Sequence, residues 1–331
     1  MTKLLKLAFL LFGCLLLGWA IKSVDLEAIP GLLKQLGGGF LVVLILYAGV
    51  TWLDTLSWKC NFRPEETGLF SNWELWRIRQ IGEAYNVITP FGTLGGEPLK
   101  AQLLKEHHGL RLRQAISSQI VSKTTFLTGL ILFFIPGIIM ILNSSKVSDE
   151  FKNISLAGMG ILSTSIFLFF VFQVTGTLGK MCHWIGQKIN MPDLKHNLKK
   201  IEHLNELFSG FYRLYPGRVI KAIVLAFLGW VLGLGQMFAI LYFLGFQVSV
   251  YELWIIESLA QLVKIGSFMI PLSIGALEGG LIIIFTSMGY TANLGLTVSL
   301  VTRIKDLIWV GLGLSLDGKI HFSNRRETDQ K

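Results

Sequence analysis

The chain of 331 residues is 52% hydrophobic and 15% charged, with a mean hydropathy of +0.58, too apolar for a soluble enzyme and typical of a polytopic membrane protein. A formal net charge of +9 would suggest nucleic-acid binding in a soluble protein. Here the basic residues cluster in short loops between apolar runs, so no nucleic-acid partner is expected and the charge reads as positive-inside bias. Cys14, Cys60 and Cys182 stand far apart, and all six histidines fall outside the apolar runs. Neither a disulfide framework nor a metal site is expected, and no cofactor.

One membrane domain over residues 1–331 is the expectation, with about six spanning helices. Lys3 and Lys6 precede the run Leu7 to Leu17, which reads as an uncleaved first span entering from the cytoplasm. The second span runs from about Gly39 to Trp58 and carries Asp54, close to the roughly 20 residues a bilayer core needs. It ends inside, near Lys59 and Arg63. Trp73 to Glu106 is flanked by Arg77 and Arg79 on one side and by Lys100, Lys105, Arg111 and Arg113 on the other. Both flanks are cytoplasmic by charge, so this segment reads as a re-entrant hairpin that enters and leaves on one face. Spans follow at about Ala115 to Leu142 and Leu156 to Leu178. Next comes a basic loop with one amphipathic helix at about 192–214. Its apolar face, including Leu194, Leu198, Ile201, Phe208 and Phe211, is expected to rest on the anionic lipids of the inner leaflet. A fifth span, about Ile220 to Phe246, leads to a second hairpin between Glu252 and Tyr290, and a sixth, about Leu294 to Leu316, returns to a polar basic tail. The N- and C-termini then both lie in the cytoplasm, and most Lys and Arg fall on that side of a cell (inner) membrane.

The two hairpins share a motif. Pro90-Phe91-Gly92-Thr93-Leu94-Gly95-Gly96-Glu97 and Pro271-Leu272-Ser273-Ile274-Gly275-Ala276-Leu277-Glu278 both read Pro-x6-Glu with glycine inside. Gly109 or Gly289, then Lys123 or Arg303, follow at near-equal distances. These features point to an internal duplication, with repeat A about 39–142 and repeat B about 219–316. One hairpin opens inward and the other outward, so the repeats are inverted, an arrangement that lets two halves expose a central site alternately to either face. Proline stops a helix and glycine permits the reversal after it. A second half-helix then begins, at Glu97 or at about Leu277, with its N-terminal N–H groups directed toward the membrane interior, where they can hold a phosphate or carboxylate.

An acid deep in a membrane is expensive, and Thr93 and Ser273 do not stand three residues before Glu97 and Glu278 as a capping box requires. Helix capping remains the plain alternative for both acids. Lys123 and Arg303 fall well inside their spans and need partners. Glu83 and Lys264, each seven residues before a motif proline, are expected to form a structural ion pair between the repeats. Asn86, Pro90, Gly95, Gly96, Glu97, Lys123, Pro271, Ser273, Gly275, Glu278 and Arg303 make up the expected substrate and transport site.

Asn86-Val87-Ile88-Thr89-Pro90 leading to Gly95-Gly96-Glu97-Pro98-Leu99-Lys100, and Pro271 to Glu278 followed by Gly289 and Arg303, resemble the lysylphosphatidylglycerol synthase transmembrane, or flippase-like, family. That family includes the membrane half of the multiple peptide resistance factor, and the resemblance spans nearly the whole chain. It implies transport of a membrane phospholipid or lipid-linked substrate. About 15 residues follow the sixth span, too few for the family's separate aminoacyl-transfer domain, so lipid aminoacylation is not expected. The expectation is a flippase and not an enzyme. An intramembrane lipid-modifying enzyme and an accessory subunit of an envelope-lipid assembly are the alternatives. No DxD, HExxH, GxSxG or P-loop supports the former.

Overall fold

A computed structural model describes residues 28–88, 95–177, 179, 184, 205–267, 270 and 273–328. The first expected span, Pro90, Pro271 and residues 192–204 of the expected amphipathic helix lie outside the described residues. Ten helices make up most of the rest: α1 Ala28–Leu36, α2 Gly39–Cys60, α3 Asn72–Ile88, α4 Glu97–His108, α5 Leu112–Leu142, α6 Asp149–Thr175, α7 Pro216–Phe243, α8 Val250–Gly266, α9 Ala276–Ser287 and α10 Ala292–Thr328. The protein is an all-α integral membrane protein. Among the described residues four helices, α2, α5, α6 and α7, are long and apolar enough to cross a bilayer. The expected sixth span lies within α10, which continues to Thr328.

Local chemistry sets the boundaries. Ser148 accepts from the Phe151 N–H, Asp149 and Glu150 occupy the first turn of α6, and Gly176 ends the helix at φ 70°. This is the usual sequence of cap, acidic start and left-handed stop. Ser249 and Glu252 exchange hydrogen bonds, Glu252 N–H to Ser249 Oγ at 3.2 Å and Ser249 N–H to Glu252 Oε2 at 3.1 Å, in a capping box that opens α8. α4 begins at the expected Glu97, with Pro98 just inside it, and stops at Gly109.

Packing uses small residues to bring backbones together, as helices in lipid must when apolar side chains gain little by leaving the lipid. On α2 and α7, Gly39 lies against the Phe243 ring and Gly229 against the Asp54 carboxylate, while Gly129 of α5 meets the α7 backbone at Phe227. Gly313 of α10 lies on the α3 backbone at Gln80. The contacts are reciprocal. The helix before each motif packs on the last helix of the other expected repeat, α3 on α10 and α8 on α5, while α2 and α7 face each other. The buried centre holds Phe133 and Phe134 of α5, Leu241 of α7, Ile255 and Ile256 of α8, and Phe285 of α9. Leu41, Ile45, Ile154, Ile161 and Phe167 stay exposed around the outside, where hydrocarbon would be their solvent.

The described end of the expected amphipathic helix differs from its reading as a surface element. Residues 205–214 are helical, and Phe208, Phe211 and Tyr212 are buried with Val121 and Val219. Tyr212 donates to Gln173 Oε1 at 2.7 Å, and Thr124 donates to the same atom at 2.9 Å. Here the apolar face covers the helix ends of its own bundle.

Candidate functional site

The first motif assembles a network of ion pairs from four helices. Asn86, on the last turns of α3, accepts from the Gly96 N–H at 2.7 Å and so caps the start of α4. Its amide donates to Glu83 at 3.2 Å and to Glu97 at 3.4 Å. Lys100, one turn into α4, crosses Gly82 and reaches Glu83 at 2.8 Å and Glu97 at 2.9 Å. A β-carbon on Gly82 would occupy the path of the Lys100 stem, and one on Gly96 would overlap the Gly82 carbonyl. Both glycines are therefore required by close approach, which holds α3 and α4 together. Lys123 enters from α5 and pairs with Glu97 at 3.1 Å. Beside them Arg79 of α3 pairs with Asp54 of α2 at 2.7 Å.

Three carboxylates and three basic side chains thus line one cleft of about 110 Å³, with Gln119 and Trp58 completing its wall. The cleft adjoins a larger groove of about 700 Å³ between α4 and α5. Glu97, Gln119 and Lys123 line both. The rest of the groove includes Ala101, Leu112, Ile116, Ile120 and Phe169. A compact charged cleft thereby adjoins a mostly apolar groove that also carries Lys105 and Glu106.

The second motif is built differently. The Glu278 carboxylate accepts from Arg303 Nε at 2.8 Å and Nη2 at 2.5 Å, and from the Gly275 N–H at 2.8 Å. Its side chain is 3% exposed, against 17% for Glu97. Gly275 has φ 76°, which glycine adopts without strain; Ser273, with φ 50°, is the one non-glycine residue with positive φ among the described residues. Ser273 accepts from Ser267 Oγ at 2.9 Å, a contact that ties the turn back to the end of α8.

Two expectations are corrected. Glu83 and Lys264 do not pair: α3 and α4 fold onto each other within one motif, so Lys100 reaches Glu83 first, and Lys264 makes no ion pair among the described residues. Glu278 does cap its half-helix, from position N3 onto the Gly275 N–H. The anchor is a glycine backbone, so a search for Ser or Thr three residues earlier misses it. Among the described residues Glu97 makes no such bond and is held by lysines. Arg79 and Lys100, the expected cytoplasmic flanks, also line the cleft. Helical spacing carried the signal, since Lys100 is one turn after Glu97 and Arg79 one turn before Glu83. Among the described residues no group of His, Cys, Asp and Glu is placed to hold a metal ion.

Residues 4–313 match the family model described as the lysylphosphatidylglycerol synthase TM region. The chain is also 21% identical over 274 residues to a UPF0104 membrane protein of Methanothermobacter thermautotrophicus, covering 80% of each chain. No solved structure matches.

Proposed function

We propose that this chain, which belongs to the lysylphosphatidylglycerol synthase TM region family, is a transporter that moves an amphiphilic lipid or lipid-linked molecule between the leaflets of the cell membrane. The observation that carries the reading is the junction of the charged cleft and the apolar groove at Glu97, Gln119 and Lys123. A lipid needs both environments at once. Its headgroup must exchange water for fixed charges and hydrogen bonds, because an uncompensated polar group in hydrocarbon is costly. Its tail needs continuous apolar surface.

In this reading the headgroup enters the cleft and competes with the pairs that Glu97 makes to Lys100 and Lys123. Lys123 is the exposed member of that set, with 43% of its side chain accessible against 5% for Lys100, and so makes the first contact. The reciprocal packing of α3 on α10 and α8 on α5 supports two inverted repeats that exchange roles as the site opens to one face and then the other. The motif segments are then re-entrant hairpins, and both termini lie in the cytoplasm.

The test is leaflet exchange of fluorescent phospholipids in vesicles containing purified protein. Glu97→Gln and Lys123→Met are expected to slow exchange while the protein still folds. Native exchange rates in both variants would remove the cleft from the transport path. Topology is checked with single cysteines at Glu106, Glu252 and Thr291 in a chain lacking its own cysteines. Glu106 is expected to label from the cytoplasm and the other two from outside; opposite-face labelling of the latter pair would end the inverted-repeat reading.

A further inference from the structure

A second pocket lies on the opposite face of α2 from the cleft. Asp54, Ser57 and Trp58 face the cleft, whereas Leu56, Lys59 and Cys60 line a cavity of about 300 Å³ together with Thr67, Arg218, Lys221 and Leu225. We propose that this pocket binds the headgroup of an anionic phospholipid from the adjoining leaflet, as a resident lipid distinct from the transported one.

Charge is the first argument. Lys59, Arg218 and Lys221 line the pocket, and no Asp or Glu does. Arg218 uses two of its N–H groups on the Cys60 and Lys59 carbonyls, both at 3.1 Å, which caps the C-terminus of α2. Its remaining donors have no protein acceptor among the described residues. Lys59 bonds the neutral Asn72 Oδ1 at 2.7 Å and the Phe70 carbonyl at 3.4 Å, and Lys221 makes no hydrogen bond or ion pair among the described residues. Among the described residues, therefore, three cations converge without a carboxylate partner, a local excess that an anion would compensate.

The vertical order of the side chains says that the anion carries a tail. α2 ends at Cys60 and α7 begins at Pro216, so both helix ends meet at one membrane face. Leu56 stands one turn deeper than Lys59 and Cys60. On α7, which runs the opposite way, Leu225 stands one turn deeper than Lys221 and two turns deeper than Arg218. Cations above and leucines below match a phosphate with acyl chains beneath it, whereas a free anion would need only the upper row. By bridging Lys59 to Lys221 such a lipid would fasten α7 to α2, the helix whose other face lines the charged cleft.

Cys60 lines this pocket and is a free thiol, which supplies a footprint independent of transport. In a Cys14→Ser, Cys182→Ser chain in detergent, phosphatidylglycerol is expected to slow maleimide labelling of Cys60, and phosphatidylcholine and inorganic phosphate are not. Lys221→Gln should weaken that protection about fivefold, the effect of one interfacial cation. Native mass spectrometry of the unmodified protein provides the second readout, retention of phosphatidylglycerol that Lys221→Gln reduces. Equal protection by inorganic phosphate would make this a simple anion site. Equal protection by phosphatidylcholine, or no protection and no retained lipid, would overturn the proposal outright.

Discussion

The two motifs start from similar sequence and end in different electrostatic states. Glu278 is closed off: one arginine grips one of its oxygens through two donors, and its own helix start satisfies the other. Glu97 is shared among Lys100, Lys123 and Asn86 at longer distances, 2.9 to 3.4 Å, and borders two cavities. The same Pro-x6-Glu pattern thus supports a closed joint in one half and a more open, shared set of ion pairs in the other. In the proposed alternating cycle this asymmetry is what a single state should show, with one half presented to substrate and the other sealed.

The sharpest way to break the comparison is at the sealed joint. Arg303→Met leaves the Glu278 carboxylate buried without its cation, and removing one partner of a buried pair typically costs about 3 to 5 kcal/mol. Thermal melting in detergent should show the largest loss of stability among these variants, with Arg303→Lys only partly restoring it, because an ammonium cannot reproduce the Nε and Nη2 contacts. If Arg303→Met melts with the native protein, Glu278 is satisfied by its helix cap alone and the two motifs differ less than the geometry implies.

At the shared site the effect should fall on transport more than on folding. Glu97→Gln keeps a hydrogen-bonding side chain beside Asn86, and Lys100 retains Glu83, so the stability loss should be about 1 to 3 kcal/mol. Lipid exchange should slow about tenfold or more, equivalent to about 1.4 kcal/mol on the limiting step. A variant with a large melting shift and full exchange would exchange the roles assigned to the two motifs.

Much of this was legible beforehand. Apolar runs gave α2, α5 and α7 to within about four residues at each end, because length and hydropathy alone decide a span; α6 was harder, starting seven residues before its expected Leu156 because the capped polar turn Ser148–Glu150 extends it. Proline and glycine marked where α4 and α9 begin. Partner choice was not legible. The Glu83–Lys264 pairing followed from repeat symmetry, but pairing depends on which side chain arrives first, and Gly82 and Gly96 bring α3 and α4 so close that Lys100 does. Basic residues near a span also carry two meanings. Arg77 reads as a topology signal, whereas Arg79, two positions later, turns inward to Asp54, and charge counting cannot separate them.

That close approach gives a smaller effect to measure. Gly96→Ala puts a methyl group against the Gly82 carbonyl, where a backbone atom cannot swing aside. Overpacking of this kind costs about 1 to 3 kcal/mol, and it should loosen the Asn86 cap and the Lys100 bridge together. Gly82→Ala should loosen the same bridge with a smaller loss, since its methyl group meets the Lys100 stem, a side chain that can shift. Additive losses in the double variant would mean that the two glycines act independently and that α3 and α4 are held by something else.

The smallest expected effect lies outside the spans, at the start of α8 beside the second motif. Lys146, in the loop before α6, pairs with Glu252. Burial acts to raise the Glu252 pKa, but the hydrogen bonds from Lys146 and Ser249 outweigh it and hold the carboxyl below its usual range. A carboxyl whose pKa is depressed in the folded state contributes stability that is present above the unfolded value, about 4.3, and is lost as pH falls through the folded value. Melting temperature should therefore decline on acidification below about pH 4.3, and Lys146→Ala should flatten only part of that decline, because the Ser249 bonds persist and an exposed ammonium contributes little. An acid limb unchanged by Lys146→Ala but abolished by Glu252→Gln would assign the whole effect to the helix cap. The start of α8 would then be held by its own Ser249 cap, side chain and backbone together, as Glu278 is held in part by the Gly275 N–H at the start of α9.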